Sequence, residues 1–156
     1  NKVQIGGVMR GDDLTLISTL AIPSRPGTAG KIMSVMGSND LNVEFITQTV
    51  GMAAKDHIIF CVKKEIASQS MTLLNELKAE IGAEKIARQD DVGLVFAFGP
   101  DFRYSSGIAG QIFEMLGKEG INIIAISSSV STISCVIDAD RVDDAVNALE
   151  KIFVTP

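Results

Sequence analysis

The stretch that decides the fold is Ser24-Arg25-Pro26-Gly27-Thr28-Ala29-Gly30-Lys31-Ile32, which returns 80 residues later as Tyr104-Ser105-Ser106-Gly107-Ile108-Ala109-Gly110-Gln111-Ile112. The same shift carries Leu41-Asn42-Val43 to Ile121-Asn122-Ile123. Self-similarity over such a span indicates two copies of one structural unit. Further on, Cys61-Val62 matches Cys135-Val136 at a shift of 74, which predicts a hairpin turn six residues shorter in the second copy.

The first copy predicts a strand, a helix, two strands, a second helix and a closing segment. Residues 14–20 alternate as in a strand, with Asp12-Asp13 as a turn signal before it. From Thr28 the apolar residues recur with helical spacing, and Gly37 is placed to end that helix. Strands at 42–50 and 57–63, a helix with Met71, Leu74, Leu77 and Ile81 on one face, and a short segment at 85–90 complete this copy.

The second copy repeats this order but lacks its last strand. The pattern predicts a strand at 92–98, a helix at 106–118 ending at Gly117, strands at 122–128 and 132–138, and a final helix. An unpaired sheet edge is usually covered, and residues 2–9 are rich in β-branched residues. We therefore expect an α+β protein of two ferredoxin-like βαββαβ domains packed as a pair: 10–91, and 92–156 completed by the N-terminal strand at 2–9.

Composition excludes several classes of partner. Of the 156 residues 46% are hydrophobic, as in a globular protein, and the net charge is -5 with the basic residues scattered, which argues against nucleic acid. No apolar run approaches the roughly 18 residues of a membrane span, so we expect a soluble, cytoplasmic protein with no membrane partner. Cys61 and Cys135 lie in apolar strands without ligand spacing, which predicts buried, reduced thiols.

The repeated loops and strands resemble a known family across nearly the whole chain. Ile22–Ile32, Leu41–Gln48, Gly120–Ile123, Ile126–Ser129 and Ile133–Ile137 are similar to the tandem ACT domains at the regulatory end of aspartokinases. The resemblance implies a feedback sensor that binds lysine or threonine at the seam between ACT domains, forms a homodimer, and acts on a separate or covalently attached kinase domain. It implies no cofactor and no catalytic site in this chain, although the parent protein or complex would be an aspartate kinase.

The resemblance and the helix start together indicate the ligand-binding residues. A Gly- and Pro-rich loop that opens a helix presents free N–H groups and the positive end of the helix dipole, which suit an amino-acid carboxylate. Ser24 stands where the family usually has Asp, and its hydroxyl offers the ligand's ammonium only a neutral hydrogen bond. The predicted ligand-binding residues are Ser24, Arg25, Pro26, Gly27, Thr28, Ala29, Gln48, Asn122, Ile123, Ser127 and Ser129.

Other interpretations compete with this one. The loop at 24–29 also fits a plain turn in which Pro and Gly only set backbone angles. A ligand-independent ACT oligomerisation module, or a free-standing ACT protein, would show the same repeat. Residues 3–10 loosely resemble the anion-binding start of acylphosphatases with Arg10 as the phosphate-binding residue, but Asp12 and Asp13 would repel a phosphate. His57 has no partner at ligand spacing, so we expect no metal site.

Overall fold

The computed structural model describes residues 3–4, 7–99, 102 and 106–154. It divides the chain into two compact units. The first unit comprises residues 13–90, and the second comprises the described residues before 13 and from 91 onward. In chain order the elements are β1 (Val3–Gln4), β2 (Gly7–Pro23), α1 (Thr28–Ser38), β3 (Phe45–Val50), β4 (Lys55–Lys63), α2 (Ala67–Ile81), β5 (Lys85–Phe98), α3 (Ile108–Lys118), β6 (Ala125–Ser128), β7 (Thr132–Asp138), α4 (Val142–Ile152) and β8 (Phe153–Val154).

The first unit has the strand order β3-β4-β2-β5, with β4 antiparallel to both of its neighbours. Alternate residues of the central strands face helices α1 and α2, because successive side chains of a strand point to opposite faces. The side chains between the strands and these two helices form a buried hydrophobic core. Its buried members are Ile17, Ile22, Ile32, Met36, Leu41, Ile58, Phe60, Val62, Ala67, Leu74, Leu77, Ile81 and Ala83.

The second unit has the strand order β2-β5-β7-β6, and β1 pairs in parallel with β8. The N-terminal part of β2 runs beside β5, so closely that a Cβ atom on Gly93 would lie 3.3 Å from the carbonyl oxygen of Gly11. Val8 packs against the buried core formed by β5, β7, α3 and α4. The predicted α+β class with two ferredoxin-like units is confirmed, and the N-terminal strand supplies the fourth strand of the second unit.

The predicted turn at Asp12-Asp13 is wrong, since both residues lie inside the single strand β2. Likewise, the segments predicted at 85–90 and 92–98 form one continuous strand, β5. Asp13 has a φ of 54° and Asp91 a φ of 56°, a left-handed conformation that aspartate tolerates better than most residues. Each strand therefore continues through one left-handed residue, and it passes from one unit to the other there.

The glycines that were predicted to end the two first helices lie inside them. Gly37 and Gly117 lie within α1 and α3, and the left-handed residues that follow are Asp40, at φ 55°, and Gly120, at φ 69°. In both cases the next amide donates back into the last helical turn: Leu41 N to Met36 O at 3.0 Å, and Ile121 N to Leu116 O at 2.9 Å. This pattern is the Schellman motif, and it satisfies carbonyl groups that the helix end leaves free.

The register predicted for the second hairpin is wrong by one residue. Phe45 pairs with Cys61 in the first unit, whereas the matching Ala125 pairs with Val136 in the second. Cys61 therefore corresponds to Val136, and Phe60 corresponds to Cys135. A slip of one residue turns a strand's side chains to the opposite face. As a result Cys135 lies in the helix-side core, whereas Cys61 alternates with the core residues of β4 and faces away from the helices.

Among the helices described, none is long and apolar enough to cross a membrane. Both cysteines are buried and carry free thiols, as predicted.

Candidate functional site

The start of helix α1 is the centre of the predicted site. Gly27 precedes the helix with a left-handed φ of 93°, a conformation that costs glycine little. The first helical bond runs from Lys31 N to Gly27 O at 3.0 Å. The N–H groups of Thr28, Ala29 and Gly30 come before it and point out of the helix end, where the helix dipole is positive.

A buried carboxylate lies beside this loop. Asp56, the second residue of β4, has only 8% of its surface exposed. Its Oδ2 atom accepts a hydrogen bond from Ser24 Oγ at 2.9 Å and a longer one from Gln48 Nε2 at 3.4 Å. Within the described part of the chain, its buried Oδ1 atom has no hydrogen-bond partner. A buried polar atom left without a partner costs about 1–3 kcal/mol, and more when it is charged.

The backbone around Asp56 holds it in place at some conformational cost. Ser24 N donates to Ala54 O at 2.9 Å, which ties the loop to the turn between β3 and β4. Ala53 and Ala54 both have left-handed φ values, 57° and 55°, and so does Ala21 at 54°. Each such non-glycine residue costs about 1–2 kcal/mol, so the surrounding contacts must determine these positions. Strain of this kind concentrates at functional sites.

Arg25 and Thr28 complete the loop between β2 and α1. Arg25 Nη2 donates to the carbonyl oxygen of Glu80 at 2.7 Å, near the end of α2, where a positive charge is favoured by the helix dipole. Thr28 is buried, and its hydroxyl donates to Arg25 O at 3.4 Å. Pro26 is exposed and Ala29 is half-buried. The seven predicted residues of the first unit, Ser24 to Ala29 and Gln48, are therefore brought together at one helix start.

The other four predicted residues belong to the second unit. Asn122 is exposed and Ile123 half-buried, both in the segment before β6, while Ser127 lies in β6 and Ser129 just after it. Ser129 lines a cavity of about 230 Å³ at the start of α3, together with Phe102, Gly107, Ile108, Ala109, Ser128 and Ile133. This helix start also has a left-handed glycine before it, Gly107 at φ 87°. Of the four predicted residues, Ser129 is therefore the one that lines this cavity at the second helix start.

Among the described residues, Asp56 is the buried carboxylate that contacts the predicted loop, and it was not predicted from the sequence. The alternation of β4 could have identified it. Asp56 is an even number of residues from Ile58, Phe60 and Val62, which all face the helices, so its side chain points to the same side. A charged residue in the inward phase of a strand is a sign of function, because burying a charge is costly. The predicted strand began at 57 and so left this residue outside the pattern.

The arrangement can bind a molecule with two opposite charges. The N–H groups at the start of α1 favour an anion. The carboxylate of Asp56, connected to the same loop through Ser24, favours a cation. An amino acid carries both charges next to each other, at its carboxylate and its ammonium group. The site is therefore suited to a zwitterion of that size.

Comparisons with known proteins show the family of the chain. Residues 95–153 match the family model described as ACT domain. An aspartate kinase of Stutzerimonas stutzeri is 30% identical over 149 residues, which cover 96% of this chain and 36% of that protein. The chain spans about a third of the length of the curated relatives it matches.

Two solved structures match nearly end to end. A chain in the crystal structure of aspartokinase alpha and beta subunits is 30% identical with a TM-score of 0.85, covering 95% of this chain and 97% of that one. The ligand-free regulatory subunit of aspartate kinase from Thermus thermophilus is 27% identical with a TM-score of 0.85, covering 96% and 99%. The chain therefore belongs to the family of ACT-domain regulatory regions of aspartokinases.

Proposed function

We propose that this chain is an amino-acid sensor of the aspartokinase type, which binds lysine or threonine at the start of α1 in its first unit. The observation that carries the proposal is the polar cluster of Ser24, Gln48 and Asp56 beside the glycine-opened helix start. In this arrangement the effector's carboxylate accepts hydrogen bonds from the first-turn N–H groups. Gln48, at the exposed surface of β3, is placed to contact the rest of the effector.

The effector acts by favouring one conformation of the regulatory region over another. Its effect on an attached or separate kinase domain cannot exceed its difference in affinity for the two conformations. A coupling free energy of about 1–3 kcal/mol is typical of allosteric proteins and is sufficient for feedback control. In this proposal the regulatory region works as a homodimer, and the phosphorylation itself takes place in the kinase domain.

Isothermal titration calorimetry with lysine, threonine and methionine tests the proposal. We expect saturable heat with lysine or threonine, and a rise in melting temperature at saturating effector because a ligand that binds only the folded state stabilises it. Gln48→Ala should weaken binding about 3- to 10-fold, the effect of one hydrogen bond. Ser128→Ala is the matched control, since Ser128 holds the same position in β6 and should leave the affinity unchanged. No heat and no melting shift with any proteinogenic amino acid would contradict the proposal.

A ligand-independent oligomerisation module is the second candidate, because the edge strands repeat exposed apolar residues. Ile46 of β3 and Ile126 of β6 hold corresponding positions and are 40% and 43% exposed. Val50 and Val130, also 80 residues apart, are exposed too. Repeated apolar residues on an edge strand favour association. Light scattering and thermal melting distinguish the two candidates. A ligand-free dimer whose melting temperature does not change when amino acids are added favours the oligomerisation module.

A further inference from the structure

We infer that Asp56 is the residue that binds the effector's ammonium group, and that it makes the site select α-amino acids over acids without an amine. This inference rests on the proposed function, since it concerns the same helix start. Its basis is the buried Oδ1 atom of Asp56, which has no hydrogen-bond partner among the described residues. The second observation is the direct link from its Oδ2 atom to the loop that opens α1, through Ser24 at 2.9 Å.

The surrounding side chains satisfy only half of the hydrogen-bonding capacity of the Asp56 carboxylate. A carboxylate accepts up to four hydrogen bonds, and Asp56 receives two, one of them long, both on the same oxygen. No lysine or arginine is paired with Asp56 in the described structure. A cationic ligand would supply both the missing hydrogen bond and the missing positive charge. An ammonium group, with three donors and one charge, fits this requirement.

The Asp56 carboxylate and the start of α1 are linked through the same loop. Ser24, which donates to Asp56, comes three residues before Gly27, so the carboxylate and the helix start are connected by one short loop. Both groups that cover Asp56 Oδ2 belong to exposed side chains, Ser24 and Gln48. The two hydrogen bonds that Asp56 accepts from side chains therefore come from residues at the surface.

Ser24 itself carries no charge, so it cannot pair with an ammonium group as an ion pair. In this chain the carboxylate comes from the neighbouring strand β4 and reaches the same loop from the side. When the register of the second hairpin is extended past its last pair, the position of Asp56 falls on Ser131, in the turn before β7, so no carboxylate occupies that place.

The test compares two kinds of ligand on two kinds of protein. Calorimetry is performed with threonine and lysine, and with 2,3-dihydroxybutanoate and 6-amino-2-hydroxyhexanoate, in which a hydroxyl replaces the α-ammonium. Asp56→Asn should weaken binding of the amino acid about 10- to 100-fold, as expected for the loss of a charge-assisted hydrogen bond. The hydroxy acids should bind weakly to the wild type and equally weakly to the variant. Glu44→Gln, which removes an exposed carboxylate elsewhere in the first unit, is the control and should change nothing.

Two further variants distinguish loss of the ammonium contact from loss of the fold. Asp56→Ser copies Ser131 and should lose affinity as Asp56→Asn does, with the fold checked by circular dichroism and melting. Adding Ser24→Asp to Asp56→Asn returns a carboxylate to the loop and should recover at least tenfold in affinity. The inference is overturned if Asp56→Asn keeps wild-type affinity, or if it weakens the hydroxy acids by the same factor, since Asp56 would then only shape the loop. If the wild type binds no amino acid, the proposed function fails first.

Discussion

The starts of α1 and α3 share a backbone but differ in chemistry. Each follows a left-handed glycine, and each makes its first helical bond at 3.0 Å, from Lys31 N to Gly27 O and from Gln111 N to Gly107 O. Both helices also end in the same capping pattern. The duplicated units have thus kept the geometry that presents free N–H groups.

The surroundings of the two helix starts have diverged. The first has a buried carboxylate with a hydroxyl and an amide on it. The second has a cavity with Phe102, Ile108 and Ile133 in its wall, and Ser128 stands at the position of Gln48. Glycines and apolar spacing preserve the backbone, while the polar groups at the ends of the strands differ between the copies. We therefore expect the first copy to bind an amino acid more tightly than the second.

The largest expected effect tests the register that relates the units. Phe60 is fully buried in the first core, and Phe60→Ala should lower the free energy of unfolding by about 3–5 kcal/mol. At the corresponding position of the second unit, Cys135→Ala removes a single sulfur atom and should cost only about 1 kcal/mol, near the value of one methylene group. Urea denaturation measures both. A Cys135→Ala variant as stable as the wild type would contradict the place of Cys135 in the helix-side core, and with it the correspondence to Phe60.

The next effect concerns the two thiols, which face opposite sides of their sheets. Burial raises the pKa of Cys61 and of Cys135 to about 12, from an ordinary value of 9.0. Between pH 9 and 12 the unfolded chain therefore holds fewer protons than the folded one, so stability is full below pH 9 and falls as the pH rises. Each thiol lowers the free energy of unfolding by up to about 1.4 kcal/mol per pH unit in that window.

Single substitutions assign this pH dependence to each unit. Cys61→Ala and Cys135→Ala should each show a shallower decline in stability above pH 9 than the wild type. At pH 8 neither thiol of the folded protein should react with a disulfide reagent, because reaction needs the thiolate. A Cys61 that reacts at pH 8 while Cys135 stays protected would show that the face of the first sheet away from its helices is open to solvent.

The smallest effects are expected from substitutions of the glycines before α1 and α3. These substitutions distinguish backbone strain from loss of ligand binding. Gly27→Ala and Gly107→Ala should each cost about 1–2 kcal/mol, since alanine is strained at the left-handed φ values of 93° and 87° although no described atom lies within 4 Å of the added Cβ. Only Gly27→Ala should also weaken amino-acid binding. Gly30→Ala, inside α1, is the control and should stabilise the protein slightly, because alanine favours the helix interior. Equal losses of affinity in Gly27→Ala and Gly107→Ala would show that both helix starts bind the effector.

Much of the fold could be predicted, because it depends on patterns that are local in the sequence. Helical spacing after Gly27 and Gly107, and alternation in β4 and β7, identified the elements within a few residues. The turn at Asp12-Asp13 was wrong because aspartate, common in turns, also tolerates the left-handed conformation within a bent strand. The hairpin register was wrong because a match between identical residues, Cys61 and Cys135, carries no information on which face each occupies.

The candidate site was predictable only in part. Residues 24–29 and Gln48 were found from the glycine-rich loop and the family resemblance, and the structure gathers them at one helix start. Asp56 lies 32 residues beyond Ser24 in the chain, and only the pairing of β2 with β4 brings the two side chains together. No local pattern encodes a contact of that kind.

The sequence by itself determined the duplication, the order of helices and strands, and the two glycine-opened helix starts, because backbone conformation follows from residue type and spacing within a few positions. Only the tertiary structure decided which partners each helix start received. Strand pairing sets a long-range register, and one residue of register decides whether a side chain faces the helices or the opposite side of the sheet. For that reason the carboxylate at one helix start, and its replacement by a serine at the other, became visible only once the strands were paired.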